Sequence, residues 1–278
     1  MHFSKVHGVG NDFILVNGFR STIDNSNKLA IKLCDRRFGV GADGLVIVLP
    51  SNSADFRMRI FNADGSEGEM CGNATRCVAR YVYEHGLTNK AEITLETIAG
   101  LITSKLLFDN GVISSVRVDI GIPRFKRGEI PMTGNPDEQA INVAIQIMED
   151  TYQATCVLMG VPHCVIFVDD ISAIDIAVVG PMIETHPLFP RKTNVEFVQV
   201  QSEGELRMRV WERGIGITMA CGTGASATLV AAVLKGKASR QATIHLDGGD
   251  LTIEWGVDNH VYMSGPAVEV FHGERKGG

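Results

Sequence analysis

The chain reads as one unit written twice. Shifted by 150 positions with no gap, Cys71-Gly72 falls on Cys221-Gly222, and Arg57-Met58-Arg59-Ile60-Phe61 falls on Arg207-Met208-Arg209-Val210-Trp211. Gly86 falls on Gly236, Leu45 and Ile47 fall on Val195 and Phe197, and Gly10–Val16 falls on Gly160–Ile166. Register kept over so long a stretch predicts two pseudo-symmetric domains, each repeating one set of elements. Where two such domains meet is the usual place for a ligand.

Each copy has the same local pattern. Phe13–Val16 and Leu45–Leu49 are short apolar runs rich in β-formers and predict buried strands. Phe56, Met58 and Ile60 alternate with Asp55, Arg57 and Arg59, the period of a half-buried strand. Lys28–Arg37 has the spacing of an amphipathic helix, and Asn62–Met70 reads as a polar loop. Gly72–Glu84 and Gly222–Lys235 are helical by pattern, and Gly86 and Gly236 are their stop residues. The second of these helices is apolar nearly all round, which suits burial on most sides. Three strands follow each helix: Ile93–Ile98, Leu101–Leu107 and Val112–Ile120, then Thr243–Leu246, Leu251–Trp255 and His260–Met263. Pro131–Asp150 is expected to be a linker or the entry to the second domain, and the tail Gly273–Gly278 to be disordered. The fold class that follows is α+β: in each copy, a mainly antiparallel sheet wrapped round one buried helix.

Composition narrows the function. A net charge of −6 gives no electrostatic case for nucleic acid or an anionic membrane surface. No apolar run reaches the length of a membrane span, and MHFSKVHGVGND carries no apolar core of a secretory signal. A cytoplasmic location is expected. The six cysteines are too sparse for a stapled scaffold and have no metal-knuckle spacing. Cys34, Cys77, Cys156 and Cys164 read as small buried hydrophobes. Cys71 and Cys221 stand apart, because each opens a helix, where a thiolate is stabilised.

Two matching thiols at two helix N-termini suit the inversion of an α-amino acid. One group removes the Cα proton from one face and its counterpart returns a proton to the other. The backbone N–H groups of Gly72, Asn73, Gly222 and Thr223 are expected to bind the substrate carboxylate, where negative charge grows as the proton leaves. There is no dinucleotide fingerprint, phosphate loop or pyridoxal lysine, so neither cofactor nor metal is expected.

These motifs, with Gly10-Asn11-Asp12-Phe13, Phe61-Asn62-Ala63-Asp64-Gly65-Ser66-Glu67, Met70-Cys71-Gly72-Asn73, Pro162-His163, Thr193-Asn194-Val195-Glu196-Phe197, Glu212-Arg213-Gly214 and Ala220-Cys221-Gly222-Thr223-Gly224, resemble the diaminopimelate epimerase family over essentially the whole chain. The resemblance implies two domains, each a barrel-like sheet around a central helix: residues 1–118 with 265–278, and residues 119–264, with the active site at their interface. It implies that Cys71 and Cys221 are the acid/base pair and that His163 and Glu212 help to set their protonation. It implies that Asn11, Asn62, Asn194 and Arg213 hold the substrate. It also implies a homodimer, and a last strand, Pro266–Phe271, that crosses back to the first domain.

The chain departs from the family pattern at a few positions. Val161 stands where an asparagine precedes Pro-His, Gly216-Ile217-Thr218 replaces Gly-Glu-Thr, Ala74-Thr75 replaces Gly-Ile, and Gly44 replaces a glutamine found in some members. Val161 and Ile217 motivate an alternative substrate, another amino acid such as histidine, on the same scaffold. A non-catalytic amino-acid-binding protein is the reading from a different class.

Overall fold

Alternating apolar and polar residues make most of this chain strand, and the computed structural model describes residues 1–19 and 23–275. The chain divides into two compact units, Met1–Asp119 with Ser264–Gly278, and Ile120–Met263.

In chain order the first unit contains β1 (His2–Gly8), β2 (Asn11–Asn17), α1 (Ser26–Cys34), β3 (Gly44–Leu49), β4 (Phe56–Asn62), the short β5 (Glu67–Gly68), α2 (Gly72–Glu84), β6 (Glu92–Thr97), β7 (Gly100–Asp109) and β8 (Val112–Gly121). The second contains β9 (Val143–Ile147), β10 (Asp150–Met159), β11 (Val161–Phe167), α3 (Ile176–Glu184), β12 (Asn194–Ser202), β13 (Glu205–Glu212), the short β14 (Gly216–Ile217), α4 (Gly222–Leu234), β15 (Gln241–Leu246), β16 (Gly249–Trp255) and β17 (Val261–Gly265). The last strand, β18 (Val268–Glu274), belongs to the first unit and pairs antiparallel with β1.

The repeat is kept in the hydrogen-bond register. Phe13 pairs Gly44 across β2 and β3, and His163 pairs Asn194 across β11 and β12; both pairings are parallel. Leu45 pairs Phe61 as Val195 pairs Trp211, and Phe61 pairs Glu67 as Trp211 pairs Ile217. Each unit has a second parallel step, β4 to β6 and β13 to β15. A parallel step needs a long crossover, which is why a helix lies at each one: α1 and α3 at the first, α2 and α4 at the second. The pairings β1–β2, β1–β18, β3–β4, β6–β7, β7–β8, β9–β10, β10–β11, β12–β13 and β15–β16 are antiparallel. The antiparallel majority was legible as alternation; the parallel steps were not.

The two second-crossover helices sit inside their sheets. α2 packs against β1, β2, β4, β7 and β18, and α4 against β10, β11, β12, β13, β15 and β16. α4, met by strands on so many sides, is small and apolar nearly all round, GTGASATLVAAVL, whereas α2 buries the polar Arg76 among its neighbours. α2 and α4 have the same length, 13 residues each. Both stop at a glycine in the left-handed region, Gly86 at φ 67° and Gly236 at φ 63°. At that φ any Cβ is strained, while the following N–H groups close back on the last turn, Leu87 to Val82 O and Lys237 to Ala232 O.

Some local expectations are corrected. Helix α1 ends at Cys34, not Arg37. Asp35 Oδ1 accepts the backbone N–H groups of Arg37 and Phe38, both at 2.7 Å, and this capture competes with a further helical turn. Of the two expectations for Pro131–Asp150, linker or entry to the second domain, the first is corrected: the segment lies within the second unit, which begins at Ile120. Val143, Ile145 and Ile147 alternate as β9, pair with β10 and join Ile130, Met132 and Ala140 in the core of the second unit. The loop Asn62–Met70 contains β5. In the tail, Gly273 and Glu274 are strand, paired with Phe3 and His2, and residues 276–278 lie outside the described residues. Among the described residues no helix is long and apolar enough to cross a membrane.

Candidate active site

Cys71 and Cys221 are the N-caps of α2 and α4, in extended backbone conformations of φ −144°, ψ 116° and φ −123°, ψ 108°. Each thus sits where the first-turn N–H groups, those of Gly72 and Asn73 or of Gly222 and Thr223, have no partner within the helix and carry its partial positive charge. The central position of the two helices puts this feature at one end of each sheet's core.

Beside Cys71 lie two amides, those of Asn11 and Asn73. Its Sγ lies 3.7 Å from Asn11 Oδ1, which also accepts Asn73 Nδ2 at 3.1 Å. Arg76, fully buried, donates to Asn73 Oδ1 at 2.9 Å. Gly8 admits that guanidinium, since a Cβ there would stand 2.8 Å from Arg76 Nη2. Asn11 Nδ2 donates to Asp43, and Arg36 bridges Asp43 and Asp12 at 2.9 and 2.6 Å. Lys5 bonds Asp12 as well. Asn62, one of the expected substrate contacts, is exposed and bonded to Ser66 at 2.9 Å.

Around Cys221 the neighbours are titratable. The thiol is buried, with Thr223 Oγ1 at 3.6 Å and Asn194 Nδ2 at 3.9 Å. Glu212, at the end of β13, accepts Thr218 Oγ1 at 2.5 Å and lies close enough to Cys221 for its charge to act on the thiol. Burial pushes the Glu212 carboxyl above the usual carboxylate range, against the pull of Thr218 and the nearby His163. His163 Nδ1 and Glu196 Oε1 are 2.6 Å apart and both side chains are wholly buried. His163 Nε2 and Glu196 Oε2 have no partner among the described residues. Arg213 is exposed. Its backbone N–H donates to Asn194 Oδ1 at 2.8 Å and its guanidinium to Arg191 O at 3.1 Å.

The expectation that the helix end favours a thiolate is corrected at Cys221. Burial drives this thiol well above its ordinary value, and the charges of Glu212 and Glu196 add to it; Thr223 and the Gly224 N–H oppose them. A helix end is worth about 0.3–1 kcal/mol, rising to ~2 when partly buried. Taking a charge out of water costs several kcal/mol, so burial wins. Cys34, raised to about 11 by burial, and Cys77, raised to about 12, are inert thiols, as read from the sequence.

The structure brings together Cys71 with Asn11 and Asn73 in the first unit, and Cys221 with His163, Glu212, Asn194 and Thr223 in the second. Glu196 is the residue that sequence reasoning missed as part of the site. A signal was available: it interrupts the otherwise apolar buried strand Val195-Glu196-Phe197 where the first copy has Val46. The same offset sets His163 against Phe13, Glu212 against Asn62 and Gly224 against Ala74. The cysteine is duplicated; its acid/base neighbours are not.

Solved structures with this fold include a probable proline racemase from Agrobacterium radiobacter, with a TM-score of 0.73 at 18% identity, covering 99% of this chain and 92% of that one. A hydroxyproline epimerase from Agrobacterium vitis with bound trans-4-hydroxy-L-proline has a TM-score of 0.71 at 17% identity, covering 98% and 91%. A phenazine biosynthesis protein from Bacillus anthracis has a TM-score of 0.69 at 18% identity, covering 99% of each. At such identities the likeness is one of fold: two α+β units, each with a central helix. Sequence gives the chemistry its class, an isomerase of the epimerase type. The diaminopimelate epimerase family model matches residues 3–126 and 155–270. The diaminopimelate epimerase of Moorella thermoacetica is 56% identical over 278 residues, 99% of each chain, and that of Pelotomaculum thermopropionicum is 57% identical over 276 residues, 99% of this chain and 98% of the other. The chain belongs to the diaminopimelate epimerase family.

Proposed function

We propose that the protein interconverts LL- and meso-diaminopimelate by moving one α-proton, with Cys71 and Cys221 acting on opposite faces of the same carbon. The observation that carries this reading is the duplicated cysteine N-cap: two thiols, each at the start of a buried central helix. One sulfur as thiolate takes the Cα proton, and the other as thiol delivers its own proton to the opposite face. The electron pair left by the broken C–H bond is held meanwhile in the substrate carboxylate. First-turn N–H groups at Gly72, Asn73, Gly222 and Thr223 stabilise that charge, each well-placed donor contributing about 3 kcal/mol in the transition state.

Glu212 receives the Cys221 proton when this sulfur acts as base. Its raised carboxyl is a better proton acceptor than an ordinary glutamate, so the exchange is closer to balanced. His163, tied to Glu196, faces the same cluster and offsets its negative charge. Asn11, Asn62 and Asn194 hold the substrate, and Arg213 takes its distal carboxylate, a contact suited to the planar guanidinium. The relatives named above support diaminopimelate over another amino acid. A homodimer is the assembly proposed with this reading, and sedimentation equilibrium tests it.

Deuterium incorporation at the α-carbon in heavy water tests the chemistry. Both diaminopimelate isomers should exchange, and Cys71→Ala and Cys221→Ala should each abolish epimerisation. Strong turnover of a monocarboxylate such as histidine, with none of diaminopimelate, would replace this substrate with the alternative. Full turnover by either alanine variant would end the two-thiol mechanism.

A further inference from the structure

A hydrogen-bond chain in the first unit has its direction forced at both ends. The Arg76 guanidinium has donors only, and it donates to Asn73 Oδ1. The Asn73 amide therefore points its Nδ2 at Asn11 Oδ1. At the other end the Asp43 carboxylate has acceptors only, and Asp43 Oδ2 takes Asn11 Nδ2 at 2.8 Å. Reversing either amide would set donor against donor or acceptor against acceptor, so the usual ambiguity of an amide's two ends is removed. Asn11 Oδ1 is the atom that faces Cys71 Sγ. It is an acceptor, which bonds a thiol and repels a thiolate.

The second unit has the opposite sense. The Arg213 backbone N–H holds Asn194 Oδ1, so Asn194 presents its Nδ2, a donor, to Cys221. The two cysteines are duplicated, but the amides beside them are turned end for end.

We propose that Asp43 is a positioning residue: by holding Asn11 Nδ2 it keeps Asn11 Oδ1 on Cys71 and so keeps that sulfur a thiol, the proton donor of the resting enzyme. This rests on the reading of Cys71 as an acid/base group. Asp43 is itself fixed, by Arg36 at 2.9 Å and by the Asp12 backbone N–H at 3.1 Å. The charged and titratable groups near Cys71 within its unit include Arg76 and Cys77 of α2 and, behind Asn11, the Asp12, Asp43, Arg36 and Lys5 cluster. Arg76 favours a thiolate. The negative charge of Asp43 disfavours one, as the amide oxygen does, so charge and amide have to be separated.

A double-mutant cycle separates them. Cys71 alkylation by iodoacetamide, quantified on its own peptide by mass spectrometry across the alkaline titration, reports its thiolate fraction and needs no substrate. Asp43→Ala removes one of the two anchors of the Asn11 amide, leaving Asn73 alone to hold it, and is expected to lower the Cys71 midpoint by about one unit, with roughly tenfold faster alkylation at neutral pH. In an Asn11→Ala background the amide is gone, and Asp43→Ala should then move the midpoint clearly less, by the through-space effect of its charge alone. Equal shifts in both backgrounds would mean that Asp43 acts only by its charge through space, and the proposal fails; so does no shift in the native background. Asp43→Ser gives the same comparison if the alanine variant does not fold. Epimerase turnover, measured alongside, can fail without touching the alkylation result, so the assignment of the hydrogen bond and the proposed activity stand or fall separately.

Discussion

Gly224→Ala offers a direct test of the buried pair beside Cys221. A Cβ at position 224 would stand 2.7 Å from Glu196 Oε1 and 3.2 Å from Cys221 Sγ. Glu196 Oε1 is no loose end: it is the atom bonded to His163, in a pair with no exposed surface. Relief must come from breaking that bond or from moving the first turn of α4. An overpacked methyl costs about 1–3 kcal/mol, and losing a hydrogen bond to a charged group about 1.5–3 kcal/mol. Alanine returns about 1 kcal/mol of helix propensity. The net loss is about 1.5–5 kcal/mol, or a fall of about 5–15 °C in Tm for a unit this size. The first copy supplies the control. There Ala74 occupies the equivalent place, fully buried, opposite Val46 rather than a glutamate. Gly224→Ala combined with Glu196→Val should therefore be more stable than the sum of the two single changes, with a coupling of about 1–3 kcal/mol. Deuterium exchange should fall on the order of a hundredfold in the single variant from misplacement of Cys221, and the double variant should not recover it, because His163 has lost its partner. Calorimetry and the exchange assay read the two quantities. A single variant as stable as the native protein, or a double variant that is merely additive, would refute the crowding of Glu196 as the reason for glycine.

The same comparison applies at α3, where a Cβ on Gly180 would lie 2.7 Å from the Trp211 ring, whose Nε1 is tied to Glu184 at 2.7 Å; Gly180→Ala should lower stability by about 1–2 kcal/mol. Trp211→Phe should restore it in the thermal melt, since the first copy pairs Ala30 with Phe61 in its core. Burial raises the Asp12 carboxyl, but bonds from Arg36 and Lys5 outweigh it and hold it down at about 2, against an ordinary 3.8. A lowered folded-state value means that this stabilisation is full above about pH 4 and is lost as pH falls toward about 2. Urea midpoints for Asp12→Asn should lie below the native ones at pH 5 and converge with them near pH 2. Val161→Asn restores the amide that the family pattern places before Pro-His, and should lower the KM for diaminopimelate about fivefold, near 1 kcal/mol; an unchanged KM would show that the substrate's distal end does not reach this position.

The sequence alone determined what is repeated and what is local. The offset of 150 is a match of the chain with itself, and the two helices from Cys-Gly to the stop glycines and the alternating strands after them follow from spacings of two, three or four residues, all of which a linear chain displays directly. The paired thiols were legible for the same reason, because each occupies a helix start; Asn11, His163, Asn194 and Glu212 beside them were named only through the resemblance to the family. Only the tertiary structure decided which strands run parallel, since His163 meets Asn194 through a crossover that no local pattern encodes. It decided that β9 is part of a core and not a linker. It decided that Glu196 lies buried on His163 and that burial outweighs the helix end at Cys221. Amide direction is the clearest case: Asn11 beside Cys71 and Asn194 beside Cys221 are the same residue type, yet Asp43 and the Arg213 N–H make them present opposite ends to their thiols. Hydrogen-bond sense is set by partners that are distant along the chain.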